Sequence, residues 1–208
     1  MPAGSFVVPA GAECMDSRVV NKLIRSEVWP LLRSQGFSKF DSRNAWRYRE
    51  PLIDVVNFRS FNSYVAGCLG CTTYSFGVNL GIYIVGGPNE EWVKKDAVGR
   101  LVPPESHCSL RTGLKDSIFY IDPEGHSLGP VFTEVRNLLQ NQAPQWYSAL
   151  GNLDAVIAWM NGSALPPGLP EERGRGVTAA APGSLVWNDC SQSCDSCGSP
   201  QRSATLSA

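Results

Sequence analysis

The spacing of apolar positions changes period along the chain, and the changes divide it into helix, strands and helices. Over residues 16–35, Val19, Val20, Leu23, Ile24, Val28, Leu31 and Leu32 recur every three or four positions, with Arg18, Lys22, Arg25 and Arg33 off the stripe. That spacing predicts a long amphipathic N-terminal helix. Asp16 or Ser17 offers its N-cap, and Gly36 the residue that turns the chain out of it. Pro30 lies inside the run, lacks an N–H and predicts a kink or a restart. From residue 44 the period is two. Trp46 and Tyr48 alternate with Arg47 and Arg49, residues 52–60 are β-branched and aromatic, and Glu50-Pro51 reads as the turn of a hairpin. Residues 61–70 read as a loop. Residues 72–85 read as a long strand with Tyr74, Phe76, Val78, Leu80, Ile82 and Ile84 on one face. Gly77 and Gly81 on the other face suggest a bend or a close backbone approach.

Beyond Gly86-Gly87-Pro88 the signals shorten. They predict a short helix near residues 90–95, short strands at 106–114 and 117–121, and a helix carrying Leu128, Val131, Phe132, Val135, Leu138 and Leu139. Two more short helices are predicted at 143–150 and 152–160. After residue 162, Pro, Gly, Ser and Ala dominate with no apolar period, the composition of a disordered segment. The expected organisation is a flexible arm at 1–15, a single α+β domain at 16–162 and a disordered Cys/Ser/Gly/Pro-rich tail at 163–208. Strands grouped between helices favour an antiparallel sheet of about four to five strands with helices packed on one face, over a βαβ array.

Composition narrows the function classes. Of 208 residues, 43% are hydrophobic and 18% charged, enough for one packed core. With 18 Lys plus Arg against 19 Asp plus Glu, the net charge is -1. No basic surplus marks a nucleic-acid partner. No apolar run reaches the ~20 residues of a membrane span, and residues 1–13 lack the basic and apolar regions of a secretory signal. The expectation is a cytoplasmic protein with neither a nucleic-acid nor a membrane partner. Seven cysteines, an odd number in a reducing compartment, argue against a disulfide framework.

The candidate chemistry is sparse. Cys190, Cys194 and Cys197 have the C-x3-C-x2-C spacing of an iron–sulfur motif, and with Cys68-x-x-Cys71 they could complete a four-sulfur zinc site. Their polar neighbours Ser191, Gln192, Ser193 and Asp195 favour free thiols on an unstructured segment, and no cofactor is expected. Cys68-Leu69-Gly70-Cys71 has redox-pair spacing but precedes a strand, whereas a thiolate-stabilising pair sits at a helix N-terminus. His107 and Cys108, adjacent on a strand, would point to opposite faces and not act as base and nucleophile. Alternation predicts one more grouping. If the apolar sets face the helices, Arg47, Arg49, Asn57, Arg59, Ser75, Asn79, Tyr83, His107, Ser109 and Arg111 share the opposite, open face. Several Arg there would suit an acidic partner or a small anion.

Four segments also resemble a known family. They are Leu31-Leu32-Arg33-Ser34-Gln35-Gly36-Phe37, Val55-Val56-Asn57-Phe58-Arg59, Phe76-Gly77-Val78-Asn79-Leu80-Gly81-Ile82-Tyr83 and His107-Cys108-Ser109-Leu110-Arg111. In this order they resemble the bacterial domain-of-unknown-function family 4304, over roughly residues 17–160. The resemblance implies a compact cytoplasmic α+β domain and no catalytic residues. By analogy it implies an immunity-like protein that binds a toxin-like protein partner. The expectation is therefore a non-enzymatic interaction domain working through Arg47, Asn57, Arg59, Asn79, Tyr83, His107 and Arg111. The alternative is a small enzyme or anion-binding domain built around His107 and Arg111.

Overall fold

The computed structural model describes residues 15–87, 90–115 and 118–161. The arm before Met15 and the tail after Asn161, with Cys190, Cys194 and Cys197, lie outside the described residues. The chain enters α1 (Ser17–Leu23) through Asp16, whose carboxylate accepts the N–H groups of Arg18 and Val19. The helix continues through a π-helical turn (Ile24–Val28) into α2 (Trp29–Ser34). This is how Pro30 is accommodated. Its ring would crowd the carbonyl one turn back, and the wider turn just before it takes up the mismatch. The apolar stripe stays in phase, with Val20, Ile24, Val28 and Leu32 fully buried. Gly36, at φ 89°, turns the chain out, and Phe37 N–H bonds back to the Leu32 carbonyl.

Five strands form one antiparallel meander in the order β1 (Lys39–Phe40), β2 (Asn44–Arg49), β3 (Leu52–Ser60), β4 (Phe76–Ile84) and β5 (Leu110–Gly113). The 61–70 segment is not all loop: α3 (Ser63–Cys68) forms there, capped by the Asn62 side chain. The strand expected over 72–85 begins only at Phe76. Those expected near 106–114 and 117–121 shrink to β5 and a single bridge between Phe76 and Phe119. Two of the expected C-terminal helices are one. The stripe Leu128, Val131, Phe132, Val135, Leu139, Ala143, Trp146 and Tyr147 runs through Pro144 without a break in α4 (Leu128–Ala149), and α5 (Leu153–Met160) follows. Packing of that continuous stripe outweighs the ~3 kcal/mol a helical proline typically costs.

The helices cover one face of the sheet. There Leu52, Val56, Phe58, Phe76, Val78, Leu80, Ile82 and Leu110 meet the helical stripes, and contacts among Trp29, Phe58, Phe76, Phe119 and Phe132 run through the core. The opposite face is not open. The β4–β5 connection, residues 85–109, folds over it and closes a second core of Trp46, Ile53, Val55, Tyr83, Val93, Leu101 and Cys108. No described helix is long and apolar enough to cross a membrane.

Candidate functional site

Strand register decides which polar side chains share a surface. Arg47 lies opposite Asp54, Asn57 opposite Asn44 and Asn79, Arg59 opposite Gly77, and Arg111 opposite Gly81. Asn57, Arg59, Asn79, Tyr83 and Arg111 are therefore on the outer face. Arg47 and Arg49 are not: they share the helix-covered face with Asp54, while Trp46 and Tyr48 point outward. The face expected from alternation thus splits in two.

On the inner face Asp54 is completely buried on the central strand. It accepts hydrogen bonds from Arg47 Nε at 2.7 Å and from Arg49 Nε and Nη2 at 2.7 and 2.5 Å. Each guanidinium spends a further N–H on a helix end. Arg47 donates to the Gln35 carbonyl after α2, and Arg49 to the Gly151 carbonyl after α4. The Arg47 guanidinium also lies 5.2 Å from the centre of the Phe37 ring and 5.1 Å from that of Tyr147. The Tyr147 hydroxyl donates to the Val55 carbonyl at 2.7 Å. Burial, and then the Asp54 charge, push this phenol well above its ordinary range. The arrangement braces the sheet to both helix ends.

On the outer face, side chains of β2 pin the connection. Trp46 Nε1–H donates to the Pro103 carbonyl at 2.8 Å and the Tyr48 hydroxyl to the Leu101 carbonyl at 3.0 Å. Asp96 organises the tip. Its carboxylate accepts the N–H groups of Val98 and Arg100 and the Arg100 guanidinium, which in turn stacks on Tyr48. The most exposed large apolar side chains on this pinned segment are Trp92, 71% exposed, and Val98, 73% exposed.

The remaining expected site residues are dispersed. Asn57 donates to Asn44, and exposed Arg59 stands 5.9 Å from the Phe61 ring centre. Asn79 is half-buried between Asn57 and Gly113. Tyr83 is buried under the connection, its phenol raised chiefly by burial. Arg111 holds the buried Glu105 carboxylate at 2.6 Å. His107 is exposed on a 3₁₀ turn (Glu105–His107) and not on a strand.

The thiols fall into two classes. Cys108 is fully buried against Gly81, and burial followed by the Glu105 charge raises it well above the ordinary thiol range, away from the thiolate a nucleophile needs. Cys68 is exposed and Cys71 half-buried, both free, at the C-terminal end of α3. That is the wrong end of a helix to stabilise a redox thiolate, and burial raises Cys71.

Two other groupings were not anticipated. Asp122, Glu124 and His126 bring one potential ligand atom each within 4.8 Å of one another. Asp122 already accepts the N–H groups of Glu124, His126 and Ser127, and the Ser127 hydroxyl with these N–H groups holds its carboxyl far below the usual range. The cluster is a hydrogen-bonded turn just before α4, at the turn that Asp122-Pro123-Glu124-Gly125 predicts, and it places no side-chain cap on the helix. A depression of about 430 Å³ is lined, among the described residues, by Arg18, Asn21, Lys22, Arg25 and Ser26 of the first helix. One convex helix face supplies one wall, so these groups do not converge on a point.

No family model, no curated protein and no solved structure matches this chain.

Proposed function

We propose that this chain is a protein-binding domain that presents the outer surface of the β4–β5 connection, around Trp92 and Val98, to a partner. The observation that carries the reading is Trp92, 71% exposed on a segment anchored to the sheet through Trp46 and Tyr48. Tryptophan is enriched among the residues that dominate binding energy, and a rigid support lowers the entropy lost on association. Three groups suited to acid–base or nucleophilic work are engaged elsewhere: Asp54 by two guanidinium groups, Glu105 by Arg111, and Cys108 by burial. The resemblance to family 4304 extends the reading to an immunity-like role, with a toxin-like protein as partner. Arg59 and the asparagines beside it mark the edge of the same outer face.

The test is capture of partners from the native cell lysate by the full-length chain, with Trp92→Ser and Arg59→Ala variants in parallel. A protein held by the unaltered chain and by Arg59→Ala, and lost by Trp92→Ser with unchanged thermal unfolding, is the expected result. Retention by Trp92→Ser overturns the assignment of this surface. Arg111→Ala is unsuitable as a surface probe, because it strands the buried Glu105 carboxylate.

A further inference from the structure

A single-sign charged stripe runs along the first helix, away from the surface around Trp92. Arg18, Lys22 and Arg25 follow one another four and three positions apart on a helix that is continuous from Ser17 to Ser34. Residues so spaced share one side of a helix. All three are exposed, and with Asn21 and Ser26 they line the depression of about 430 Å³. Carboxylates near them are spent elsewhere. The Asp16 carboxylate accepts the N–H groups of Arg18 and Val19, and lies 3.9 Å from an Arg18 side chain that is 93% exposed. An ion pair so exposed contributes little. Glu27, the one acidic residue of the helix, is 3.6 Å from Arg136. Among the described residues, Lys22 and Arg25 have no ion-pair partner. This pattern works against the helix. Like charges three or four positions apart repel. The first turn carries the positive end of the helix dipole and favours acidic residues, yet it holds Arg18 and no acid. A local rule broken by exposed side chains that the core does not use marks a functional surface.

We propose that Arg18, Lys22 and Arg25 form a second docking face, for an acidic helical segment of a protein partner. This goes beyond the reading above, because α1 lies on the helix-covered side of the sheet and the Trp92 segment on the other. Charge complementarity selects the occupant. At ~1.5 Å rise per residue the three cations span roughly 10 Å, and an acidic helix laid alongside presents carboxylates at the same rise. Each guanidinium can take a carboxylate with two parallel hydrogen bonds. The face does not converge on a point, so it suits an extended partner and not a small anion. A lipid surface fits less well. Val20, Ile24 and Val28 are fully buried, so the helix has no apolar stripe left to enter a bilayer. Nucleic acid also fits less well, since three cations on a chain of net charge -1 give few phosphate contacts.

The experiment uses the full-length chain and, as probe, a labelled alanine-based helical peptide with Glu four and three positions apart. Its binding is followed by fluorescence anisotropy at low salt. A phosphatidylserine vesicle and a single-stranded oligonucleotide are titrated in parallel. The expected result is binding of the peptide that weakens as salt is added. Arg18→Ala, Lys22→Ala and Arg25→Ala should each weaken it by roughly two- to fivefold. The combined Arg18→Glu, Lys22→Glu and Arg25→Glu variant should lose it with thermal unfolding unchanged or raised, since acidic residues suit the first turn. Trp92→Ser should bind the peptide as the unaltered chain does, which separates this face from the surface around Trp92. No binding by the unaltered chain, or equal binding by the reversed variant, overturns the proposal. Tighter binding of the vesicle or the oligonucleotide than of the peptide overturns the choice of partner. A reversed variant that fails to fold shows that the stripe serves the helix, and overturns it too.

Discussion

Replacing Asp54 by Ala should be among the most damaging single changes in the domain, and the effect should reverse sign when its two arginines are absent. Asp54 has no exposure and accepts hydrogen bonds from both Arg47 and Arg49. Removing one partner of a buried ionic cluster costs ~3–5 kcal/mol, because the remaining charges are left uncompensated. The Arg47 and Arg49 side chains retain 21% and 23% exposure, and both keep a carbonyl partner. Water can therefore relieve part of the penalty, and the lower end, ~3 kcal/mol, is expected. With a urea m-value of ~1–3 kcal/mol/M, that lowers the unfolding midpoint by ~1–3 M at unchanged slope, and the melting temperature by ~10 °C. The decisive control is Arg47→Met with Arg49→Met, which strands a buried carboxylate. In that background Asp54→Leu should raise stability, because an apolar replacement of the whole cluster is close to neutral while a lone buried charge is not. Equilibrium urea unfolding followed by tryptophan fluorescence reads both. An Asp54→Ala cost below ~1 kcal/mol, or no gain from Asp54→Leu in the double variant, would refute the ionic brace.

Two further outcomes follow from local geometry. Gly81→Ala would place a methyl group 2.6 Å from Cys108 Sγ, so a loss of ~1–3 kcal/mol is expected in the same assay, partly relieved by adding Cys108→Ala. Asp122 has a folded-state pKa well below the unfolded value of ~3.9, so its contribution is present above about pH 4 and lost as pH falls toward the folded value. Asp122→Asn should therefore be less stable than the unaltered chain at neutral pH, and the gap in thermal unfolding should narrow steadily between pH 5 and pH 2. A constant gap would sink the role of Asp122 in holding this turn.

The elements that pattern alone predicted well are those with local causes. The first helix ends at Gly36 because a residue there must take positive φ, and the hairpin at Glu50-Pro51 follows from two strand-like runs with a turn between them. β4 starts at Phe76 and not at residue 72 because Thr72 and Ser75 bond each other and the Ile121 carbonyl, which is 49 residues from Thr72 in sequence. The continuity of α4 past Pro144 was hidden for a similar reason, since what holds that helix together is contact of its stripe with a sheet elsewhere in the chain.

The error over the candidate site has a sharper cause. Alternation along β2 assigns Trp46 and Tyr48 to a core, and that assignment is right, but it does not say which core. A sheet covered on both faces has two. Burying a large apolar side chain is worth ~1.5–3 kcal/mol, so Trp46, Ile53, Val55 and Tyr83 gain as much under the 85–109 connection as they would under helices. That connection has no period to announce it, because Val93, Leu101 and Cys108 are spaced by turns. One residue did carry the correct answer. Asp54 interrupts the apolar run Leu52-Ile53-Val55-Val56, and a carboxylate on a buried strand requires cations beside it. The short turn at Glu50-Pro51 sets Arg47 directly opposite Asp54 and Arg49 on the diagonal, so hairpin register supplies both. Once the two arginines are bound to Asp54 they are not free to recognise an anion, which is why the proposed recognition surface is the outside of the connection. There the exposed group best suited to binding is the indole of Trp92.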